Sequence, residues 1–337
     1  MAGHQPGRRR WLAAAAGVCS AAGSARPGWA AAPGRAATGF PDHLVRLVVP
    51  YSVGIGPDVV ARSVAERLSQ LWGLTVLVDN KPGASGIVAF GDVRRLPADG
   101  HTLFLADSAT LVVNPLLHAN LPYDPVRDLV PLSLLFRATF LVWVGGSNRL
   151  RSLGDLQNAA RQAPGRVSYA SLGNGHPSHV AVETYAQAAG LQLLHVPFKD
   201  AGTLLMAVAA GEVDFTTIGM NTAAGLMANG RLRPLAVAAR RRLASHPDIP
   251  TLLEAGGPAV EMHPWAALVA LAGTPAPVLD QLQRDIAATL ALAEVRSRAE
   301  GAGFEITPST PQGLRERMDA DAALVRPLIA DGRIARM

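Results

Sequence analysis

"VVPYSVGIGPDVVARSVAERL", residues 48–68, decides the fold. An apolar, β-branched run stops at Pro50. A short loop carries Gly54 and Gly56. Pro57 and Asp58 then open a stretch whose apolar positions recur with helical spacing. Pro57 suits the first helical turn, where its missing N–H costs nothing, and Asp58 suits it electrostatically. A strand that passes through a glycine loop into a helix is the repeating unit of α/β proteins.

The unit recurs in both directions along the chain. "LVRLVVP" (44–50) predicts a strand and "DVVARSVAERLSQLW" (58–72) an amphipathic helix. "TVLVDN" (75–80) and "TLFLAD" (102–107) predict strands around the helical "SGIVAFGDVRRL" (85–96). This βαβαβ order predicts a mostly parallel sheet covered by helices. A second series follows. "SLLFRATFLVWV" (133–144) is strand-rich, and Ser152 with Asp155 opens a helix over 152–164 in capping-box spacing. Strands are expected at 166–171, 191–198, 213–219 and 232–239, and helices at 176–190, 202–211 and 221–230. Long helices are expected within 275–303 and 310–332. Two α/β series predict two lobes with a cleft, with ligand at the carboxyl ends of strands.

Composition narrows the function classes. The chain has 337 residues, 49% hydrophobic and 17% charged, with formal net charge +5. That excess lies in residues 1–37, which hold Arg8, Arg9, Arg10, Arg26 and Arg35 and no acid. Without those five, 26 basic residues face 26 acidic ones. A near-neutral body lacks the clustered basic surface of a nucleic-acid binder. "RRRLASH" (240–246) is the local exception, expected as a solvated loop or helix end. The single cysteine, Cys19, lies in the N-terminal segment, so the body has no disulfide framework, thiol nucleophile or cysteine metal site.

The basic Arg8–Arg10 precede a short Ala-rich stretch, and Ala30, Ala31 and Ala32 offer small residues for signal peptidase. A cleaved export signal and a periplasmic protein are expected. Arg9 and Arg10 before Trp11 and Leu12 resemble a twin-arginine signal, with Trp in place of the usual Phe. No later stretch is long and apolar enough to span a membrane.

The loops at strand ends carry the candidate chemistry. Tyr51, Gly54, Ile55, Gly56, Pro57 and Asp58 form the first. Exposed N–H groups and the helix dipole there favour a carboxylate or phosphate. A dinucleotide fingerprint fails, because Val59 stands where a third glycine belongs. An ordinary strand–helix turn accounts equally well for this stretch alone. "SLGNGHPSH" (171–179) is the second loop. Gly173, Asn174 and Gly175 allow a nest of N–H groups, and Ser171, His176, Ser178 and His179 add donors or acceptors. His179 taken singly fits a capping or core histidine better than a ligand contact. Catalytic constellations are missing: there is no G-x-S-x-G, no H-E-x-x-H and no paired-carboxylate motif. His263-Pro264-Trp265 fits a turn with an anchoring aromatic.

From about Phe40 onward the chain resembles the periplasmic solute receptors of tripartite tricarboxylate transporters, the TctC-like or Bug receptors. The resemblance is carried by "RLVVPYSVGIGPDVVAR", "VLVDNKPGASG", "PADGHTLFLADSA", "NPLL", "LPYDPVRDLVPLSLL", "YASLGNGHPSHVAVE", "HVPFKDAG", "GEVDF", "GRLRPLAVA", "HPDIPTLLEAG" and "LAGTPAPV", in this order. It implies a type II periplasmic-binding-protein fold, with two α/β lobes around a central ligand cleft. The boundaries expected are an export and disordered segment at 1–37, lobe 1 at 38–141 plus 265–337, and lobe 2 at 142–264.

It also implies a binding protein and no enzyme, with no cofactor and no metal. A small carboxylate would be held by backbone N–H groups and short polar side chains and delivered to membrane permease subunits. A monomer is expected. An exported receptor of the same fold used for sensing is the alternative. A secreted enzyme on a two-lobe fold is the more distant one, and the cysteine of the porphobilinogen-deaminase type is missing.

The resemblance adds Gly83, Ala84, Ser85, Ser108 and Ala109 to the candidate ligand-binding set, and Asp214 at a cleft edge or helix cap. Ile55 and Pro57 depart from the family's first loop, and His176 and Pro177 from its second. Asp200 replaces a glycine, which places a negative charge near the cleft. These departures imply a ligand less polyanionic than citrate, a monocarboxylate with an apolar or cationic part.

Overall fold

The computed structural model describes residues 39–337. The expected export segment at 1–37, with Cys19, lies outside the described residues. None of the described helices is long and apolar enough to cross a membrane.

Eleven strands form two sheets among the described residues. β1 (Val45–Val49), β2 (Val76–Asn80) and β3 (Thr102–Asp107) pair in parallel, with β1 in the middle. β4 (Leu129–Ala138) belongs to the same sheet, and β5 (Phe140–Gly145) starts the other. β6 (Ser168–Ser171), β7 (Leu194–Pro197), β8 (Phe215–Gly219) and β9 (Leu232–Val237) join β5 in the order β7-β6-β8-β5-β9. β10 (Trp265–Leu271) returns to the first sheet, and β11 (Phe304–Ile306) lies at its edge, giving β11-β4-β10-β3-β1-β2.

Each sheet is buried under helices. On helix Gly56–Trp72, Val60, Val64 and Leu68 face the sheet core with Leu47, Leu103 and Leu105, and Gly73 ends the helix at φ 66°. In the second lobe, Trp143, Tyr169 and Phe215 are fully buried. Burial of large side chains on this scale supplies the main favourable term in folding.

The strand-rich 133–144 divides at Thr139 into β4 and β5, which run in different sheets. Two expectations need correcting. The stretch after His263 is not only a turn: Trp265 begins β10, the strand between β3 and β4. The helix expected over 85–96 shortens to Ile87–Val93 behind a tight turn at Ala84–Gly86.

The chain crosses between sheets at Thr139 and again through residues 238–264. Helix Pro311–Ala330 packs on β4 and also on helix Pro177–Ala189 of the second lobe.

Candidate functional site

A cleft of about 540 Å³ runs between the two sheets. Four helices begin at its wall. Gly56 and Pro57, Pro177 and Ser178, Ala201, and Asn221 and Thr222 all line it, each within the first turn of its helix. These helices follow β1, β6, β7 and β8, so the cleft sits at the carboxyl ends of parallel strands. Four helix N-termini aimed at one space favour negative charge there. The lining residues include no Lys and no Arg, and Asp107 is their one acid. Much of the wall is aromatic, from Phe136, Phe140, Trp265 and Phe304.

Two of the four start without a side-chain cap, and since Gly56–Trp72 loses one N–H to Pro57, the start of helix Met220–Ala228 is the more open of the two. Its cap, Gly219, has no side chain to engage the first N–H groups. The other second-lobe helices cap themselves: Asp200 accepts from Thr203 N at 2.9 Å, and His176 Nδ1 from Ser178 N at 3.1 Å. Because His176 Nδ1 accepts a backbone N–H, its ring proton sits on Nε2. Burial pushes the His176 imidazolium down to about 4, against the upward pull of Asp107, so the ring is neutral at neutral pH.

Of the expected ligand-binding residues, Tyr51, Gly54, Ile55, Gly56, Pro57, His176 and Ser178 line the cleft. Asp58 does not. It is buried behind the loop, where its carboxylate accepts from Gly54 N at 2.8 Å, Arg62 Nε at 3.0 Å and Asn80 Nδ2 at 2.8 Å. Burial alone would raise this carboxyl, but these hydrogen bonds outweigh it and hold it below the usual range. Asp58 therefore occupies the Gly54 amide that a ligand anion would use.

The glycine nest of the second loop is likewise engaged within the protein. Gly173 N donates to Ser171 Oγ at 3.2 Å, Gly175 N to His179 Nδ1 at 3.1 Å, and His176 N to the Gly173 carbonyl at 3.2 Å. Asn174 Nδ2 reaches the Ala335 carbonyl at 2.8 Å. Gly173, Asn174 and Gly175 lie outside the cleft lining, and a Cβ on Gly175 would collide with Leu117.

Ser171 and His179 belong to a buried cluster. Ser171 Oγ is 2.6 Å from His195 Nε2, and the rings of His179 and His195 stack at 3.9 Å. Burial, with His195 and His176 nearby, pushes His179 down to about 3.

The remaining candidates sit elsewhere. Gly83, Ala84 and Ser85 form the turn after β2, strapped by Asn114 Nδ2 to the Ser85 carbonyl at 2.9 Å. Ser108 faces a separate small hollow beside helix Pro311–Ala330, and Ala109 is buried. Asp214 accepts from Ser168 N and Oγ at 2.8 and 2.9 Å, tying the amino ends of β6 and β8, the ends away from the cleft. Asp200 is an exposed helix cap, and its neighbour Ala201 takes the place in the lining.

The sequence reading missed Asp107, Gly219, Asn221 and Thr222, and the aromatic wall. Gly219-Met220-Asn221-Thr222 was visible as a turn between a strand and a helix. The rings converge from distant segments and leave no local signal. Across the cleft, Asn221 Nδ2 donates to the Gly301 carbonyl at 2.8 Å, joining the second lobe to the first.

Comparison with known proteins agrees with this architecture. The family described as "Tripartite tricarboxylate transporter family receptor" matches residues 60–331. A Pseudomonas sp. (strain P51) protein encoded between tcbD and tcbE is 31% identical over 296 residues, covering 88% of each chain. Among solved structures, R. palustris Rpa4515 with adipate superposes with a TM-score of 0.79 at 30% identity, covering 88% of this chain and all of the other. MatC from Rhodopseudomonas palustris, with bound malate, gives a TM-score of 0.74 at 26% identity, covering 86% and 99%.

Proposed function

The chain belongs to the tripartite tricarboxylate transporter receptor family, a family of periplasmic solute-binding receptors, and from that premise we propose that it captures a small carboxylate-bearing ligand between its lobes and hands it to membrane permease subunits. It has the periplasmic-binding-protein fold, and it is a binding protein rather than an enzyme.

The observation that supports a carboxylate is the convergence of four helix N-termini on one cation-free cleft. The carboxylate sits at the start of helix Met220–Ala228. Thr222 and the uncapped N–H groups there receive it. Export by the N-terminal segment, and closure of residues 142–264 on the rest of the chain, belong to the same proposal. That adipate and malate occupy the related proteins supports a ligand of this size.

The test is a thermal-shift screen of the purified protein against small mono- and dicarboxylates, each paired with its carboxamide. A ligand that binds only the folded state at about 100 Kd adds about 2.7 kcal/mol. A rise with one acid and none with its amide is the expected result. No rise with any acid would overturn the carboxylate assignment.

A further inference from the structure

Asp107 ends β3 and lines the cleft. Both of its oxygens act as acceptors. Oδ2 receives the Tyr51 hydroxyl at 2.6 Å, and Oδ1 receives the N–H and the hydroxyl of Thr110, each at 2.8 Å. That is the bonding pattern of a carboxylate, and all three donors are neutral. Burial, and then Asp107 itself, pushes the Tyr51 hydroxyl well above its usual value, so Tyr51 stays a neutral donor. His176 is neutral at neutral pH. No other lining residue can balance the charge.

The cleft therefore carries two opposed electrostatic features. The helix starts of the second lobe favour an anion, and Asp107 repels one. A dicarboxylate spanning the cleft would bring its second charge to the buried Asp107, where water screens poorly. A cationic nitrogen would instead complete a buried pair, with aromatic faces beside it.

We propose that the ligand is a zwitterion with an apolar body, its carboxylate at the start of helix Met220–Ala228 and its ammonium group on Asp107. The proposal takes its anionic end from the function argued above, and its cationic end from Asp107 alone. It separates this receptor from relatives that hold adipate or malate.

Matched probes of equal length test it by calorimetry on the purified protein: 6-aminohexanoate against adipate, 4-aminobutyrate against succinate, and 4-(aminomethyl)benzoate against terephthalate. In at least one pair the amino acid binds tenfold or more tightly than the diacid. Asp107→Asn removes that preference and raises diacid affinity. The wild-type ratio stands as a test even if the variant folds poorly. Diacids that bind the wild type as well as or better than their amino partners overturn the zwitterion and leave the carboxylate assignment intact. Binding of no probe by either protein overturns both.

Discussion

Asn221, at the first turn of a second-lobe helix, holds the Gly301 carbonyl of the first lobe at 2.8 Å. The bond bridges the rim of the cleft. A neutral hydrogen bond contributes about 1 kcal/mol net, or about a fivefold change in an equilibrium between two states. Asn221→Ala should shift the ligand-free protein toward a more open form by about that factor. Small-angle scattering without ligand reads it as a larger radius of gyration. An unchanged radius would mean that the bond does not govern closure.

A buried pair ties the C-terminal segment to the second lobe. Arg333 Nη1 lies 3.1 Å from Glu183 Oε2, and Tyr169 donates to Oε1 at 2.6 Å. Arg333→Met leaves the Glu183 carboxylate buried without its cation and should cost about 3 kcal/mol in urea unfolding. Adding Glu183→Gln should recover most of the loss. Equal losses in the single and double variants would show that packing, not charge, matters there.

Acid should destabilise the protein through its second-lobe histidines. His176 and His179 are pushed down to about 4 and about 3, and His195 is pushed down as well, each chiefly by burial. Their contribution is complete above the unfolded value of about 6.5 and is lost as pH falls toward the folded values. Below pH ~6.5 the unfolded chain takes up protons that the folded chain refuses. The stability of the protein should fall by about 1.4 kcal/mol per pH unit for fully buried His179 alone. His179→Gln should flatten the curve between pH ~6 and ~4, and an identical slope in the variant would contradict this.

Alkali should act through tyrosine. All four tyrosines, Tyr51, Tyr123, Tyr169 and Tyr185, have hydroxyls pushed up, first of all by burial. The stability they confer is complete below the unfolded value of about 10 and is lost as pH rises further, because the unfolded chain ionises first. Tyrosinate absorbance should stay absent from the folded protein at pH about 11 and appear together with loss of secondary structure. Ionisation of even one tyrosine in the folded state would disprove the uniform shift.

The alternation of strands and helices was legible because each element repeats its own period over a short window. β10 was not. "WAALVAL" is apolar at every position, so it carries no strand period, and Trp265 drew attention as a turn anchor. The first and second loops lie between a strand and a helix, as their sequences predict, but their amides are not free. Asp58 and His179 take up the N–H groups that a glycine-rich sequence advertises, and only three-dimensional pairing reveals it. Asp107 was hidden for the opposite reason. At the end of a strand it looks like an ordinary turn acid, and its place as the one acid in a cleft without Lys or Arg comes from segments far away in sequence.

The single residue Thr139 between β4 and β5 has a practical consequence for making an optical reporter of this receptor. A link that short cannot lengthen, so under the proposed closure the sheets move least beside it, and displacement grows with distance from it. Dyes placed close to Thr139 would report almost nothing. A pair on exposed positions flanking the Asn221–Gly301 rim would give the largest change in transfer efficiency.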